Sequence, residues 1–168
     1  MNLNFKNPDS VFAELENYIL EQKFSIDRFD FERPWGGFFV LKEEDAPRFA
    51  QLFFPEIAFN EIEITSKLSP KFLVVFPQKR LSWQYHSRRA ELWKVIQGPV
   101  KIGISETDLE NEPLTFQVGE IISLYQGQRH RLIGDQTLGI VAEIWQHTFE
   151  NQPSDEDDIV RLQDDFGR

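Results

Sequence analysis

The stretch LSWQYHSRRAELW, residues 81–93, decides how this chain is read. Gln84 and His86 stand two residues apart in a β-like run, and side chains so spaced leave a strand on the same face. The polar break that follows reads as a turn, and Glu91 opens the next run, where it can face the Gln84/His86 pair. Further on, Gln126-Gly127-Gln128 reads as a turn and His130 begins another run. These four ligand-capable side chains would then come from three neighbouring strands, which is what one divalent cation needs inside a small β-structure. Zinc, manganese, iron, nickel and cobalt all accept such a carboxylate, imidazole and amide set. An ordinary ion pair of Glu91 with Arg89 or Lys94 is compatible with the same residues.

Outward from that stretch, short apolar runs alternate with turn residues. Strands are expected at 35–41, 57–64, 72–76, 81–85, 92–96, 100–104, 114–118, 121–124, 130–133 and 138–147. Many short strands at this spacing indicate an all-β sandwich or barrel rather than a βαβ sheet. Before them, residues 9–22 read as a helix, with Asp9 and Ser10 as N-caps and Val11, Phe12, Leu15, Tyr18 and Ile19 on one face. Residues 43–56 are aromatic-rich yet interrupted by Pro47 and Pro55, and fit neither pattern.

The chain has 168 residues and a net charge of −10, which suits one domain with a real core. An acidic chain is a poor general binder of nucleic acid or of an anionic membrane surface. The absence of cysteine excludes disulfides and thiolate chemistry. No leader or membrane span is evident, so a cytoplasmic location is expected. The charge is uneven: residues 79–101 carry six basic side chains and one acid, whereas residues 150–168 carry seven acids and two basic side chains. Two solvated patches, or a cationic site for a small anion, would each produce this pattern.

The spacing Gln84-x-His86-x4-Glu91-x6-Gly98, followed by Gly119, Gly127 and His130, resembles the two cupin motifs. Glutamine at the first histidine position narrows the resemblance to phosphomannose isomerases. The words Arg33-Pro34-Trp35-Gly36, RLSWQYH, RAELW, HRL after Gly127, and EDDIVRLQDDFGR are similar to the cupin domain of type II mannose-6-phosphate isomerases, often fused to a mannose-1-phosphate guanylyltransferase. The likeness covers residues 33–42 and 71–168, leaving 43–70 as an unmatched insertion that would lid the pocket, extend a sheet or mediate oligomer contacts. Gln78, Tyr125 and Gly134 replace the motif glycine, proline and asparagine, and none of these is a ligand position.

The resemblance implies a cupin jelly-roll barrel (residues 33–168) with an N-terminal helical arm (1–32) packed on it. It implies interconversion of mannose 6-phosphate and fructose 6-phosphate through a cis-enediol. Gln84, His86, Glu91 and His130 would hold one divalent metal ion, zinc first among those named. Arg131, from the HRL word, is the expected catalytic arginine, and Arg89, Lys79 and Arg168 are the expected substrate-binding cations. Glu143 reads as a buried, ion-paired carboxyl that could face the barrel interior, and His147 as structural or exposed. Trp83 has the opposite parity to Gln84 and His86, which places it outside the pocket. A small sugar phosphate is the expected partner, with a homodimer as the expected assembly and no guanylyl transfer. A non-catalytic sugar-phosphate- or metal-binding cupin, a dioxygenase and a sugar epimerase are the competing readings.

Overall fold

Two antiparallel sheets face each other, and helices cover the outer face of the larger one. The computed structural model describes residues 7–167. A first helix, α1 (Val11–Glu21), leads into β1 (Ile26–Arg33) and β2 (Gly36–Leu41). A single 3-10 turn (Glu43–Asp45), α2 (Ala46–Phe53) and the one-turn α3 (Phe59–Ile62) follow. The remaining strands are β3 (Lys71–Val75), β4 (Trp83–His86), β5 (Arg89–Gln97), β6 (Val100–Ser105), β7 (Leu114–Phe116), β8 (Ile121–Leu124), β9 (Arg129–Gly134), β10 (Gly139–His147) and β11 (Ile159–Gln163). The larger sheet has the order β1-β2-β3-β10-β5-β8 and the smaller β11-β4-β9-β6-β7. This is the all-β architecture expected, with the N-terminal helix in place. Among the described residues, no helix is long and apolar enough to cross a membrane.

Strand alternation divides the core into two layers. Phe72 and Val74 of β3, with Ile140, Ala142 and Ile144 of β10, face outward and pack under Val11, Leu15, Ile19, Phe49 and Phe53 of the helices. Leu73, Val75 and Val141 face inward and meet Val95, Val100, Ile102 and Leu132, which plug one end of the barrel. Because both faces of β10 are covered, all nine of its residues are buried. The inward parity of β3 and β10 continues past this plug to Lys71, Glu143 and Trp145, so the other end of the barrel is polar.

One sequence expectation is corrected here, and two further stretches are resolved. Residues 57–64 form a loop and α3 instead of a strand. Ile57 and Ile62 pack into the outer core layer, and Gln146 Nε2 donates to the carbonyls of Glu61 and Ile62, 3.1 and 3.0 Å away. Residues 26–32 of the 1–32 arm form, with Arg33, an edge strand beside β2; Phe31 stacks on Phe12 of α1 at 4.3 Å. Residues 43–56 resolve as the 3-10 turn and α2, with Pro47 in the first turn, where its missing N–H leaves no helix bond broken.

The acidic tail is the remaining element that positions the site. β11 pairs with β4, setting Ile159 opposite His86 and Arg161 opposite Gln84. Asp158 accepts from the Ser87 and Arg88 amides at 3.1 and 2.9 Å, Arg88 reaches Asp155 at 2.9 Å, and Arg80 holds Asp165 at 2.6 and 2.8 Å. Arg80 and Arg88 of the basic segment are thus paired with tail acids, while Arg89 pairs with Glu91, Lys94 with Glu56 and Lys101 with Asp135. The expectation that this basic segment as a whole forms the anion site is corrected accordingly.

Candidate metal centre

Glu91 lies at the centre of the polar end. Its Oε1 is 3.1 Å from His86 Nε2, and its Oε2 is 3.3 Å from His130 Nε2. The three donor atoms lie within 4.8 Å of one another, and all three residues are buried. His86 comes from the end of β4, Glu91 from β5 and His130 from β9, so the site bridges both sheets. Gly127, at φ +79, makes the turn before β9, and its amide donates to the His86 carbonyl at 2.8 Å, tying the two histidine segments together.

The hydrogen bonds fix what these atoms present. His130 Nδ1 is 2.9 Å from the Gln128 carbonyl, which can only accept, so Nδ1 carries a proton and Nε2 is the atom turned toward Glu91. Arg89 Nη2 approaches His86 Nε2 at 3.1 Å as a donor, which makes that nitrogen an acceptor. Burial, helped by the Arg89 charge, pushes His86 down to about 4 against the pull of Glu91, so it is neutral at ordinary pH. Burial alone would raise Glu91; His86 and Arg89 overcome it and hold this carboxyl well below the usual range. His130 Nε2 and Glu91 Oε2 both lack an aligned hydrogen-bond partner. Two buried polar atoms facing each other without an aligned partner call for a proton or a cation between them. The donor set therefore fits a divalent ion.

Gln84 joins the cluster from β4, opposite His130 in register. Its Nε2 is 3.4 Å from His86 Nε2 while its Oε1 accepts from Ser82 at 2.5 Å. Rotation of the amide by half a turn would exchange these atoms and present the oxygen to the cluster.

Not every predicted residue arrives here. Arg131 follows His130 on a regular strand and leaves on the opposite face. It is fully buried outside the barrel, donating to Glu110 at 3.1 Å and to the Gln163 carbonyl at 3.2 Å. Its assignment as the catalytic arginine is corrected on that ground. Lys79 is corrected too: its carbonyl accepts from Gly134, at the far end of β9 from His130. Arg168 lies outside the described residues. Arg89 is buried beside the cluster, but its guanidinium is committed: Nε to Glu91 at 2.7 Å, Nη1 to Ser154 Oγ at 2.7 Å, and Nη2 to His86. It positions Glu91 and has little left for a substrate. Trp83 lies outside the pocket, as its parity requires, and its Nε1 donates to the Asp108 carbonyl at 2.8 Å. His147 is structural, held between Ser69 Oγ and the Ser154 amide at 2.9 Å each.

Above the cluster is a cavity of about 70 Å³ whose wall includes Lys71, Gln84, Glu91, Trp93, Glu143 and Trp145. Past Lys71, Trp145 and Glu156 lies a groove of about 650 Å³. Glu143 accepts from Trp93 Nε1 at 2.9 Å, and burial, reinforced by Glu91, raises its carboxyl to about 7. Lys71 pairs with Glu143 in register and sits 3.2 Å from the Trp145 ring centroid; burial lowers it to about 8 against the pull of Glu143. The sequence reading passed over Lys71, because a lysine at the start of an apolar strand ordinarily points to solvent. Its signal was parity, shared with Leu73 and Val75.

A jelly-roll of two antiparallel sheets with a buried His–Glu–His cluster between them defines a cupin. The chain belongs to the mannose-6-phosphate isomerase C-terminal family, whose profile matches residues 42–164, with the 43–70 stretch inside the match. It is 29% identical over 119 residues to the xanthan biosynthesis protein XanB of Xanthomonas campestris pv. campestris, covering 70% of this chain and 24% of that one. It is 25% identical over 139 residues to the alginate biosynthesis protein AlgA of Pseudomonas aeruginosa, covering 77% and 26%. The chain thus spans about a quarter of the length of these relatives. In fold it is similar to the capsular polysaccharide assembling protein CapF of Staphylococcus aureus, at a TM-score of 0.53 and 14% identity over 81% of this chain and 31% of that one.

Proposed function

We propose that this chain is a metal-dependent aldose–ketose isomerase acting on mannose 6-phosphate and fructose 6-phosphate. The observation that carries the reading is the buried His86–Glu91–His130 set opening onto a cavity that also holds Glu143 and Lys71. Membership in the mannose-6-phosphate isomerase C-terminal family supports the substrate, as does likeness to proteins named for polysaccharide biosynthesis.

The reaction removes a proton from C2 of the open-chain aldose and returns one at C1. A divalent ion held by His86, Glu91, His130 and the Gln84 amide oxygen, zinc by preference, would supply Lewis acidity toward the sugar oxygens. The proton needs a carboxyl that is neither permanently charged nor permanently neutral near neutral pH. Glu143, raised to about 7 by burial, meets that condition. Trp93 Nε1 fixes Oε1 of that carboxylate, leaving Oε2 to take the proton from C2 and deliver it to C1. Lys71, beside Glu143, offers an ammonium to the negative charge that develops on the sugar oxygens. Arg89 holds Glu91 in place through its 2.7 Å bond, and the tail excludes water on that side through Ser154.

The test is a coupled assay with mannose 6-phosphate after loading with zinc, manganese, iron, nickel or cobalt. The wild-type chain should turn over with at least one of them. His86→Ala and His130→Ala should lose both bound metal and activity. Binding of the sugar phosphate without turnover under every metal would replace the isomerase reading with a sensor.

A further inference from the structure

The cavity above the cluster is also lined by Arg161 of β11, the strand paired with β4, and by Arg33, Trp35, Trp145 and Glu156. Arg161 stands opposite Gln84 in the β4–β11 register, so its side chain leaves β11 on the barrel side and lines the cavity. Among the described residues, its guanidinium forms no ion pair or hydrogen bond, although the acidic tail it belongs to is otherwise engaged with Arg80 and Arg88. Arg33, at the end of β1, lines the same cavity, with Nε 2.8 Å from Asp30. Trp35 and Trp145 also line it; each is 5% exposed, and each has an indole N–H without a partner. Glu156 lies 3.7 Å from Lys71 and 3.8 Å from Arg28. An unpaired arginine lining the cavity, with a second arginine there that is paired only with Asp30, is complementary to an anionic, acceptor-only group.

We infer that Arg161, with Arg33 in the same cavity, binds the phosphate of a phosphorylated open-chain sugar whose C1–C2 end lies at the His86–Glu91–His130 cluster. This assignment rests on the isomerase reading and names the phosphate end of its substrate. Arg161 lies one inward-facing position from the level of His86, which is about 7 Å along a strand. It is also directly opposite Gln84, at the rim of the ligand set, so a phosphate it holds stays within one sugar chain's reach of the cluster. Arginine's planar fork suits two phosphate oxygens at once. Among the described residues the other arginines are paired: Arg131 with Glu110, Arg88 and Arg80 with the tail, Arg89 with Glu91, Arg129 with Asp108, Arg48 with Asp45, Arg28 with Glu156, and Arg33 itself with Asp30. The site discriminates by charge, favouring the sugar phosphate over the free sugar.

The test is calorimetric binding of mannose 6-phosphate and of mannose to the metal-loaded full chain, in wild type, Arg161→Ala, Arg161→Lys and Lys79→Ala. Arg161→Ala should weaken mannose 6-phosphate at least about tenfold, with metal content and melting temperature unchanged, since the side chain is exposed. Arg161→Lys should recover part of that loss, and Lys79→Ala should bind as wild type. Where turnover is measurable, the loss should appear in KM, with kcat held within about threefold. An unchanged affinity in Arg161→Ala, or a wild type that binds mannose as tightly as mannose 6-phosphate, overturns the assignment. Because affinity and not turnover is read, a chain that binds the phosphate but does not isomerise refutes the isomerase reading alone.

Discussion

Replacing Glu143 by glutamine probes the barrel interior in two independent ways. The side chain is 3% exposed, and burial lifts its carboxyl from the ordinary 4.5 to about 7. A raised acid contributes stability that is complete below pH 4.5 and is lost as pH climbs through about 7, because the folded chain resists ionising it. The gap is worth about 3 kcal/mol at most. Lys71 returns part of it once Glu143 is charged, since that carboxylate favours the ammonium. Glutamine keeps an oxygen for Trp93 Nε1 but cannot titrate. Urea unfolding of both proteins at pH 5, 6, 7 and 8 should show wild type losing ground relative to Glu143→Gln as pH rises, by up to about 3 kcal/mol. His86 and His147, both lowered to about 4 chiefly by burial, lose stability toward acid in both proteins and cancel in the difference. The variant's kcat should fall about a hundredfold or more, with metal content unchanged. A difference that is flat across this range, together with a kcat within about threefold of wild type, would refute both the titration and the role as base.

Two further substitutions test the framework. Asp158→Ala removes the acceptor for the Ser87 and Arg88 amides and the Ser154 hydroxyl, and should cost about 2–4 kcal/mol in urea unfolding while loosening the tail to proteolysis. Burial raises the Asp158 carboxyl, but its bonds from Ser154, Arg88 and Ser87 hold it below 3.8, so this stability is present above 3.8 and lost in stronger acid. Gly134→Ala would place a Cβ 2.0 Å from the Phe76 carbonyl oxygen, and should destabilise by about 3 kcal/mol, read as a lower melting temperature. A melting temperature equal to wild type would refute that close approach.

The ligand triad was legible because its logic is local. Gln84 and His86 share a strand, a short turn brings Glu91 back beside them, and a glycine turn aims His130; covalent spacing sets all of this. The phosphate-facing and proton-handling residues depend on partners far away in sequence. Arg161 reaches the cavity only because β11 pairs with β4, and Lys71 meets Glu143 only through the β3–β10 register. Arg131 was misread for a related reason: proximity in sequence to a ligand is not proximity in space on a strand, where neighbours face opposite ways. Residues 57–64 have strand-like composition, yet Ile57 and Ile62 are buried in the outer layer and the Glu61 and Ile62 carbonyls are taken by the Gln146 side chain rather than by a neighbouring strand.

The central claim is that the interior of this cupin moves a proton between C2 and C1 of mannose 6-phosphate. It is tested most directly by following that sugar by NMR in D₂O with the metal-loaded chain. The account predicts fructose 6-phosphate carrying solvent deuterium at C1, since the proton passes through an exchangeable carboxyl, and loss of this product in Glu143→Gln. Unchanged mannose 6-phosphate, with neither ketose nor deuterium exchange under any of the five metals, would contradict it.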